Sequence, residues 1–209
     1  KAIQDKQSRK YRCGFCGESI ASDKGFPTIE KNTSTGADYE TTSTSIYVCH
    51  YCHRPTFFGG SKVQVPGPLI ADAVGNVTDG SVSAMYEEAR RAFGASAYTA
   101  SVLCCRKLLM HIAVAKGANQ GESFVKYVAY LASANYFPPD ANVWVDQIRA
   151  KGNEANHEIR TASKEEAEDL VLFCEMLLKV IFEFPARAQS RTVVSAAPVV
   201  IPHTPRERL

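Results

Sequence analysis

The chain has 209 residues, of which 45% are apolar, and it carries a formal net charge of +2 at pH 7. This composition allows a sizeable buried core in one or two domains, and no apolar run reaches the length of a membrane span. A net charge this close to zero excludes a general positive field, so any contact with nucleic acid requires a local basic patch. Lysine and arginine exceed aspartate and glutamate by 9 to 6 in residues 1–62 and by 4 to 1 in residues 185–209, whereas residues 63–184 are mildly acidic, with 11 against 15.

Two Cys-x-x-Cys pairs lie near the start of the chain, Cys13 with Cys16 and Cys49 with Cys52. A two-residue gap lets both thiolates of a pair face one point, and two such pairs complete the tetrahedral shell that zinc prefers. Gly17 directly follows the first pair and suits the left-handed backbone that closes such a turn. We therefore predict that these four cysteines bind a structural Zn²⁺ in a small β zinc ribbon. Two disulfide bonds in a secreted domain are the alternative.

The remaining cysteines and the nearby histidines are not predicted to bind metal. His50 and His53 adjoin the second pair, but four cysteines already complete the shell. Cys104, Cys105 and Cys174 lie in apolar helical stretches, where free cysteine behaves as a small hydrophobic residue. Unpaired buried thiols indicate a reducing compartment, and no signal peptide is recognisable. We therefore expect a cytoplasmic protein without membrane contact.

The chain divides into four segments by composition. The zinc ribbon is predicted over residues 1–62, and prolines that exclude helix predict a linker over residues 63–80. Apolar residues at helical spacing predict a bundle of about five helices over residues 81–185. Residues 186–209 contain prolines and arginines without regular apolar spacing, which predicts a flexible tail. The expected fold class is mainly α, a small β zinc ribbon followed by a helical bundle.

Local residue patterns predict one helix cap and the surroundings of three polar side chains. Ser163 and Glu166 match a capping box at the start of the last helix, which Pro185 is expected to end. In the first helix, charged residues including Arg90 and Arg91 are predicted to lie on a solvated face. His111 in the second helix is predicted to contact a neighbouring helix rather than to catalyse.

One predicted helix, from Asn142 to Arg160, has a polar stripe beside its apolar face. Arg149, Asn153 and His157 follow one another at intervals of four residues, so they lie on one side of the helix. Side chains in this arrangement can converge on a single anion. The alternative is that Asn153 and His157 form hydrogen bonds to backbone groups of neighbouring helices.

The sequence resembles a bacterial family of uncharacterised domains in the HEPN superfamily, often found behind a Cys-x-x-Cys ribbon. The resemblance covers about residues 13–185. Beyond the cysteine pairs, four segments carry it: Met85–Phe93, Cys105–His111, Arg149–Glu158 and Glu175–Pro185.

The resemblance implies a helical bundle that forms a homodimer, and many HEPN domains are metal-independent endoribonucleases of toxin or defence systems. Their signature is an arginine, often with a polar residue directly after it, and then a histidine. His157 matches the histidine and Asn153 the polar residue, but Gly152 occupies the position of the arginine, and Arg149 lies one turn earlier. In an active site His157 would exchange protons with the ribose 2′-OH or the 5′-oxygen, Arg149 would stabilise the phosphorane-like oxygens, and Asn153 would orient the substrate or the imidazole.

Two classes of function follow from these observations. The first is a protein that binds RNA and acts as a HEPN-type endoribonuclease, active or degenerate. The second is a non-catalytic dimeric scaffold for a protein partner, in which the zinc is equally structural because four thiolates leave no open position for water.

Overall fold

Two structural units follow one another along the chain, a β-sheet and then a group of helices. The computed structural model describes residues 2–60, 63–137, 144–146, 148 and 161–195. In sequence order the described strands pair with one another antiparallel, so the sheet is a meander joined by short connections. We call it the sheet lobe; its strands are β1 (Gln4–Arg12), β2 (Ser19–Lys31), β3 (Asp38–Val48), β4 (Pro55–Phe58) and β5 (Gln64–Val65).

The sheet lobe has its own small core on one face. Alternation along the strands points Tyr11, Ile20, Tyr47 and Phe58 to the same side, where all four are buried beside the cysteines. The ring of Tyr11 meets that of Phe58 edge-on with centroids 5.0 Å apart, and the ring of Tyr47 meets it at 5.8 Å. Edge-to-face contacts of this kind add to the stabilisation from burial.

The prediction of a mainly α chain is wrong, because the N-terminal sheet is much larger than a ribbon of short strands. The segment between the cysteine pairs, rich in serine and threonine, forms a long hairpin in which Thr28 pairs with Thr41 and Ile29 with Glu40. Asn32 closes its turn by accepting hydrogen bonds from the two N–H groups at positions 34 and 35. Strand β5 also lies inside the predicted linker. The fold is α+β, with a five-stranded sheet followed by helices in the described part of the chain.

The second unit, the helical lobe, begins at Gly80 in the described structure. No residue described between positions 63 and 79 is helical, as the prolines predicted. Its elements are α1 (Gly80–Gly94), α2 (Tyr98–Ala115), α3 (Phe124–Ser133), α4 (Lys164–Leu178), a π-helical turn (Lys179–Glu183) and α5 (Phe184–Ser195).

Helix α2 is the centre of the helical lobe. It packs against α1, α3 and α4, and its buried residues include Cys105, Leu108, Leu109 and Ile112. By length and composition alone this helix could cross a membrane, with a mean hydropathy of 1.2 over its 18 residues. The central helix of a folded core also meets this criterion. Helix α2 packs against three helices, as such a core helix does.

Side-chain caps begin two of the helices. Asp79 accepts hydrogen bonds from the N–H groups of Ser81 and Val82 at the start of α1. The predicted capping box of α4 is confirmed, because the Ser163 hydroxyl accepts from the N–H of Glu166 and the Glu166 carboxylate accepts from the N–H of Ser163. Both caps satisfy N–H groups that a helix leaves free at its first turn.

The predicted end of the last helix at Pro185 is wrong, because the helical chain that begins with α4 continues beyond this proline. The chain continues through the π-helical turn into α5, which reaches Ser195, so the first part of the predicted flexible tail is helical. The N–H of Phe184 donates to the carbonyl of Lys179, five residues back, and this wider turn directly precedes the proline. A wider turn accommodates proline because the ring has no N–H and clashes with a regular preceding turn.

The lobes are joined by two arginines that contact residues 70–72 of the linker. The guanidinium of Arg90 donates to the carbonyls of Ile70 and Ala71 at 3.0 and 3.1 Å and pairs with Glu87 at 2.6 Å. Arg12, from the end of β1, donates to the same Ala71 carbonyl at 2.6 Å and pairs with Asp72. One carbonyl group therefore accepts hydrogen bonds from both lobes.

Three glycines bring the backbones of the two lobes into direct contact. The N–H of Gly67 donates to the carbonyl of Gly94 at the end of α1, at 2.9 Å. A Cβ atom on Gly14 would lie 2.3 Å from the carbonyl oxygen of Gly67, and one on Gly67 would lie 2.5 Å from that of Gly94. These positions require glycine because any side chain would displace backbone.

The Arg90 contacts predict a large loss of stability on substitution. Arg90→Met leaves the carbonyl of Ile70 and the carboxylate of Glu87 without their donor, and we expect a loss of about 3 kcal/mol in the free energy of unfolding. Urea denaturation measures it. The matched control is Arg91→Met, because Arg91 is exposed and bonds the carbonyl of Glu87 in its own helix. We expect the control to change stability by less than about 0.5 kcal/mol, and equal losses in both variants would contradict the account.

Candidate metal centre

The two Cys-x-x-Cys turns, here called knuckles, have the same backbone geometry. In each, the N–H of the residue after the second cysteine donates to the carbonyl of the first cysteine, and the N–H of the first cysteine donates to the carbonyl five residues later. The residue after the second cysteine has a positive φ in both, +79° at Gly17 and +58° at His53. The predicted left-handed position is confirmed at Gly17, and the second knuckle adopts the same geometry without glycine. The N···O distances are 2.9 Å for Gly17 to Cys13, 2.8 Å for His53 to Cys49, 2.9 Å for Cys13 to Glu18 and 3.0 Å for Cys49 to Arg54.

The knuckles bring the sulfurs of Cys13, Cys16, Cys49 and Cys52 to within 4.8 Å of one another. Across the knuckles, Cys13 lies 3.8 Å from Cys52 and Cys16 lies 3.8 Å from Cys49, sulfur to sulfur. A tetrahedron with metal–sulfur bonds of about 2.3 Å has edges of about 3.8 Å, so the four sulfurs fit one metal ion. All four cysteines are free, so the disulfide alternative is not supported.

The surroundings of the four sulfurs suit a bound cation. Cys13 and Cys49 are fully buried, and Cys16 and Cys52 are half-buried. Burial raises the pKa of Cys16 to about 12 and also raises the pKa of Cys52. At Cys49 burial is outweighed by the backbone N–H groups of Cys52 and Tyr51, so the pKa is lowered. Four thiolates at this spacing need a positive ion between them, and metal binding therefore releases protons.

The first knuckle also faces the helical lobe. Gly14 meets the carbonyl of Gly67, and the guanidinium of Arg90 would lie 3.3 Å from a Cβ on Gly17. The carbonyl of Gly17 accepts a hydrogen bond from Arg12 at 2.8 Å. The metal centre thus lies where the sheet lobe, the linker and α1 meet.

The second knuckle faces solvent instead. His50, Tyr51, His53 and Arg54 are all exposed. Neither histidine belongs to the group of candidate ligands, in agreement with the prediction that both stand outside the metal shell.

The structure describes the remaining predicted cysteines but not the predicted catalytic residues. Arg149, Asn153 and His157 lie outside the described residues, so the predicted catalytic stripe stays a prediction. Cys105 and Cys174 are fully buried in the helical core, as expected for cysteines that serve packing.

His111 contacts the neighbouring helix start, but at the surface. Its ring Nε2 lies 3.2 Å from a carboxylate oxygen of Asp79, the cap of α1, and both side chains are about half exposed. Hydrogen bonds from Ser81 and then from His111 lower the pKa of Asp79. The contact therefore links α2 to the first turn of α1.

Sequence reasoning misplaced Arg90. The predicted solvated face is correct for Arg91, but Arg90 is only 3% exposed. The signal was available, because Arg90 follows Tyr86 by four residues and therefore lies on the buried side of α1. An arginine at that spacing indicates a buried set of carbonyl acceptors.

Fold and site together define an α+β protein in which a four-cysteine sheet lobe precedes a helical lobe. Comparison with families assigns the helical part: residues 87–194 match the model DUF4145, a domain of unknown function. The match spans more than half of the chain, and the protein belongs to this family. No curated protein and no solved structure gives a match. The HEPN affiliation stays a prediction.

The metal centre predicts a clear difference between cysteines. Cys49→Ser removes a buried ligand, so we expect the purified variant to lose its bound metal and the sheet lobe to unfold at lower urea concentration. Cys104→Ser is the control because Cys104 is half-buried in α2, outside the cluster. Elemental mass spectrometry measures metal per chain. Full metal content in the Cys49 variant, or its loss in the control, would refute the assignment.

Proposed function

We propose that this protein binds a structural Zn²⁺ through its four cysteines and that the sheet lobe so formed binds RNA. Zinc is the metal that best suits a closed tetrahedral shell of four thiolates, because it has no redox chemistry and no preference for another geometry. Four protein ligands leave no position for substrate or water. The metal therefore holds the sheet lobe in shape and takes no part in a reaction.

The observation that supports RNA binding is a group of three cations on the edge strand β1 that lack a carboxylate partner among the described residues. Lys6, Arg9 and Lys10 form no ion pair within the described chain, whereas Lys24 on β2 pairs with Asp5. Strand β1 is an edge strand of this sheet, and most of its side chains, that of Lys10 among them, are exposed. Cations grouped on one exposed strand can contact the phosphates of a nucleic acid.

Two of these cations cover aromatic rings. The guanidinium of Arg9 lies 4.0 Å from the ring centroid of Phe58, and the ammonium of Lys6 lies 5.9 Å from that of Tyr47. In both contacts the charged group itself lies over the ring, and the Lys6 ammonium also donates a hydrogen bond to the carbonyl of Phe26 at 3.4 Å. The aromatic rings of the sheet-lobe core thus hold these cations in place. Together the cations form the local basic patch that contact with nucleic acid requires in a chain of such low net charge.

Binding to RNA is tested by fluorescence anisotropy with a labelled single-stranded RNA at several salt concentrations. We expect the affinity to fall with salt, and Arg9→Gln with Lys10→Gln to lower the slope of log K against log salt by about 1.4, or about 0.7 per phosphate contact. The control replaces two lysines of the helical lobe, Lys107 and Lys126, by glutamine. No binding by the unaltered chain would refute the proposal, and equal effects of both double variants would refute the role of β1.

Endoribonuclease activity is a further proposal that rests on the HEPN resemblance alone. The same RNA, incubated without divalent metal and examined by gel electrophoresis, tests it with His157→Ala as the variant. Cleavage by the unaltered chain that falls at least about a hundredfold in the variant would support His157 as acid or base. Equal cleavage in both would exclude His157 as the acid or base, and no cleavage in either would leave a protein that binds RNA without cutting it.

A further inference from the structure

The tips of the two knuckles expose aromatic rings at equivalent positions. Phe15 and Tyr51 are each the residue before the second cysteine of their pair, and the knuckles share one backbone geometry. The side chain of Phe15 is 36% exposed and that of Tyr51 is 68% exposed. The four sulfurs within 4.8 Å hold the two turns side by side, so both rings belong to one end of the sheet lobe.

An arginine connects the two tips. Arg54 leaves the second knuckle, yet its guanidinium carbon lies 5.2 Å from the ring centroid of Phe15 on the first knuckle. It has no carboxylate partner in the residues that the structure describes. A cation placed over an aromatic ring and free of an anion is available for a phosphate group.

The exposed rings have no evident role in folding. Within the described chain the Tyr51 side chain forms no hydrogen bond and no ring contact, and it lies outside the aromatic core of the sheet lobe. Its exposed neighbours are His50, His53 and Arg54, which are polar or charged. Such surroundings disfavour an apolar protein partner and are typical of surfaces that stack bases beside phosphate contacts.

The basic strand leads directly to this end of the lobe. Strand β1 carries Lys6, Arg9 and Lys10 and ends at Arg12, next to the first ligand of the metal. A single strand of RNA that follows the cations of β1 therefore arrives at the rings on the knuckles. Bases of a single strand are free to stack, whereas those of a duplex are not.

We propose that Phe15 and Tyr51, with Arg54, form a stacking site for the bases of single-stranded RNA. This inference rests on the proposed function, because it names the place and the form of RNA that the sheet lobe binds. Stacking on aromatic faces accepts any base, so the site binds single strands with little sequence preference. Arg54 contributes one phosphate contact next to the stacked bases.

The test compares ring variants on labelled oligo(U) and oligo(A) single strands and on an RNA duplex. We expect Tyr51→Ala and Phe15→Ala each to weaken binding of both single strands about tenfold, Tyr51→Trp to retain it, and the duplex to bind more weakly than the single strands. Arg54→Gln lowers the salt slope by about 0.7. Phe184→Ala is the control, since Phe184 is an exposed aromatic residue of the helical lobe, 52% exposed, and we expect no change.

Each outcome has a distinct meaning. Metal content is measured for every variant, so a loss of binding with full metal content reports on the ring and not on folding. If the unaltered chain binds single strands and the Tyr51 and Phe15 variants bind equally well, the stacking site is wrong and RNA binding stands. If the unaltered chain binds the duplex best, the single-strand inference is wrong. If it binds none of the three RNAs, the proposed function fails and the inference fails with it.

Discussion

Four cysteine sulfurs that share one centre determine how the sheet lobe of this protein is held together. The sheet has a core of only a few buried side chains, with two tyrosines, one isoleucine and one phenylalanine beside the cysteines. A core of this size supplies little stabilisation by burial, so the proposed metal–thiolate centre would be the main constraint on the two knuckles. The strands β1 to β4 enter and leave these knuckles, and their pairing therefore depends on the same centre.

The influence of the centre extends beyond the sheet because the first knuckle is part of the contact between lobes. Gly14 touches the backbone of Gly67, and Gly67 in turn donates to Gly94 at the end of α1. The Ala71 carbonyl, with the left-handed φ of +58° at that residue, receives Arg12 from the sheet lobe and Arg90 from the helical lobe. Backbone contacts at this distance tolerate little displacement, so the geometry of the knuckle and the position of the linker are coupled.

Local signals in the sequence predicted the parts that depend on neighbouring residues. The cysteine spacing predicted the cluster of four sulfurs, the Ser163 and Glu166 pair predicted the start of α4, and helical periodicity predicted the helical lobe. The features that the sequence analysis missed depend on contacts between residues that are far apart in the chain. The length of β2 and β3 results from cross-strand partners, and the burial of Arg90 results from carbonyls that lie about 20 residues earlier in the chain. The continuation of the helix past Pro185 depends on a π-helical turn that no simple periodicity predicts.

Hydrogen exchange on the metal-bound and chelator-treated protein tests most directly whether the metal centre holds the lobes together. The informative amide is that of Gly67, which bonds across the contact, with Leu108 and Leu109 of α2 as the internal reference. We expect removal of the metal to speed exchange at Gly67 and along β1 to β4 by at least about tenfold, while the α2 amides keep their protection. Unchanged exchange at Gly67 after complete removal of the metal would contradict the account.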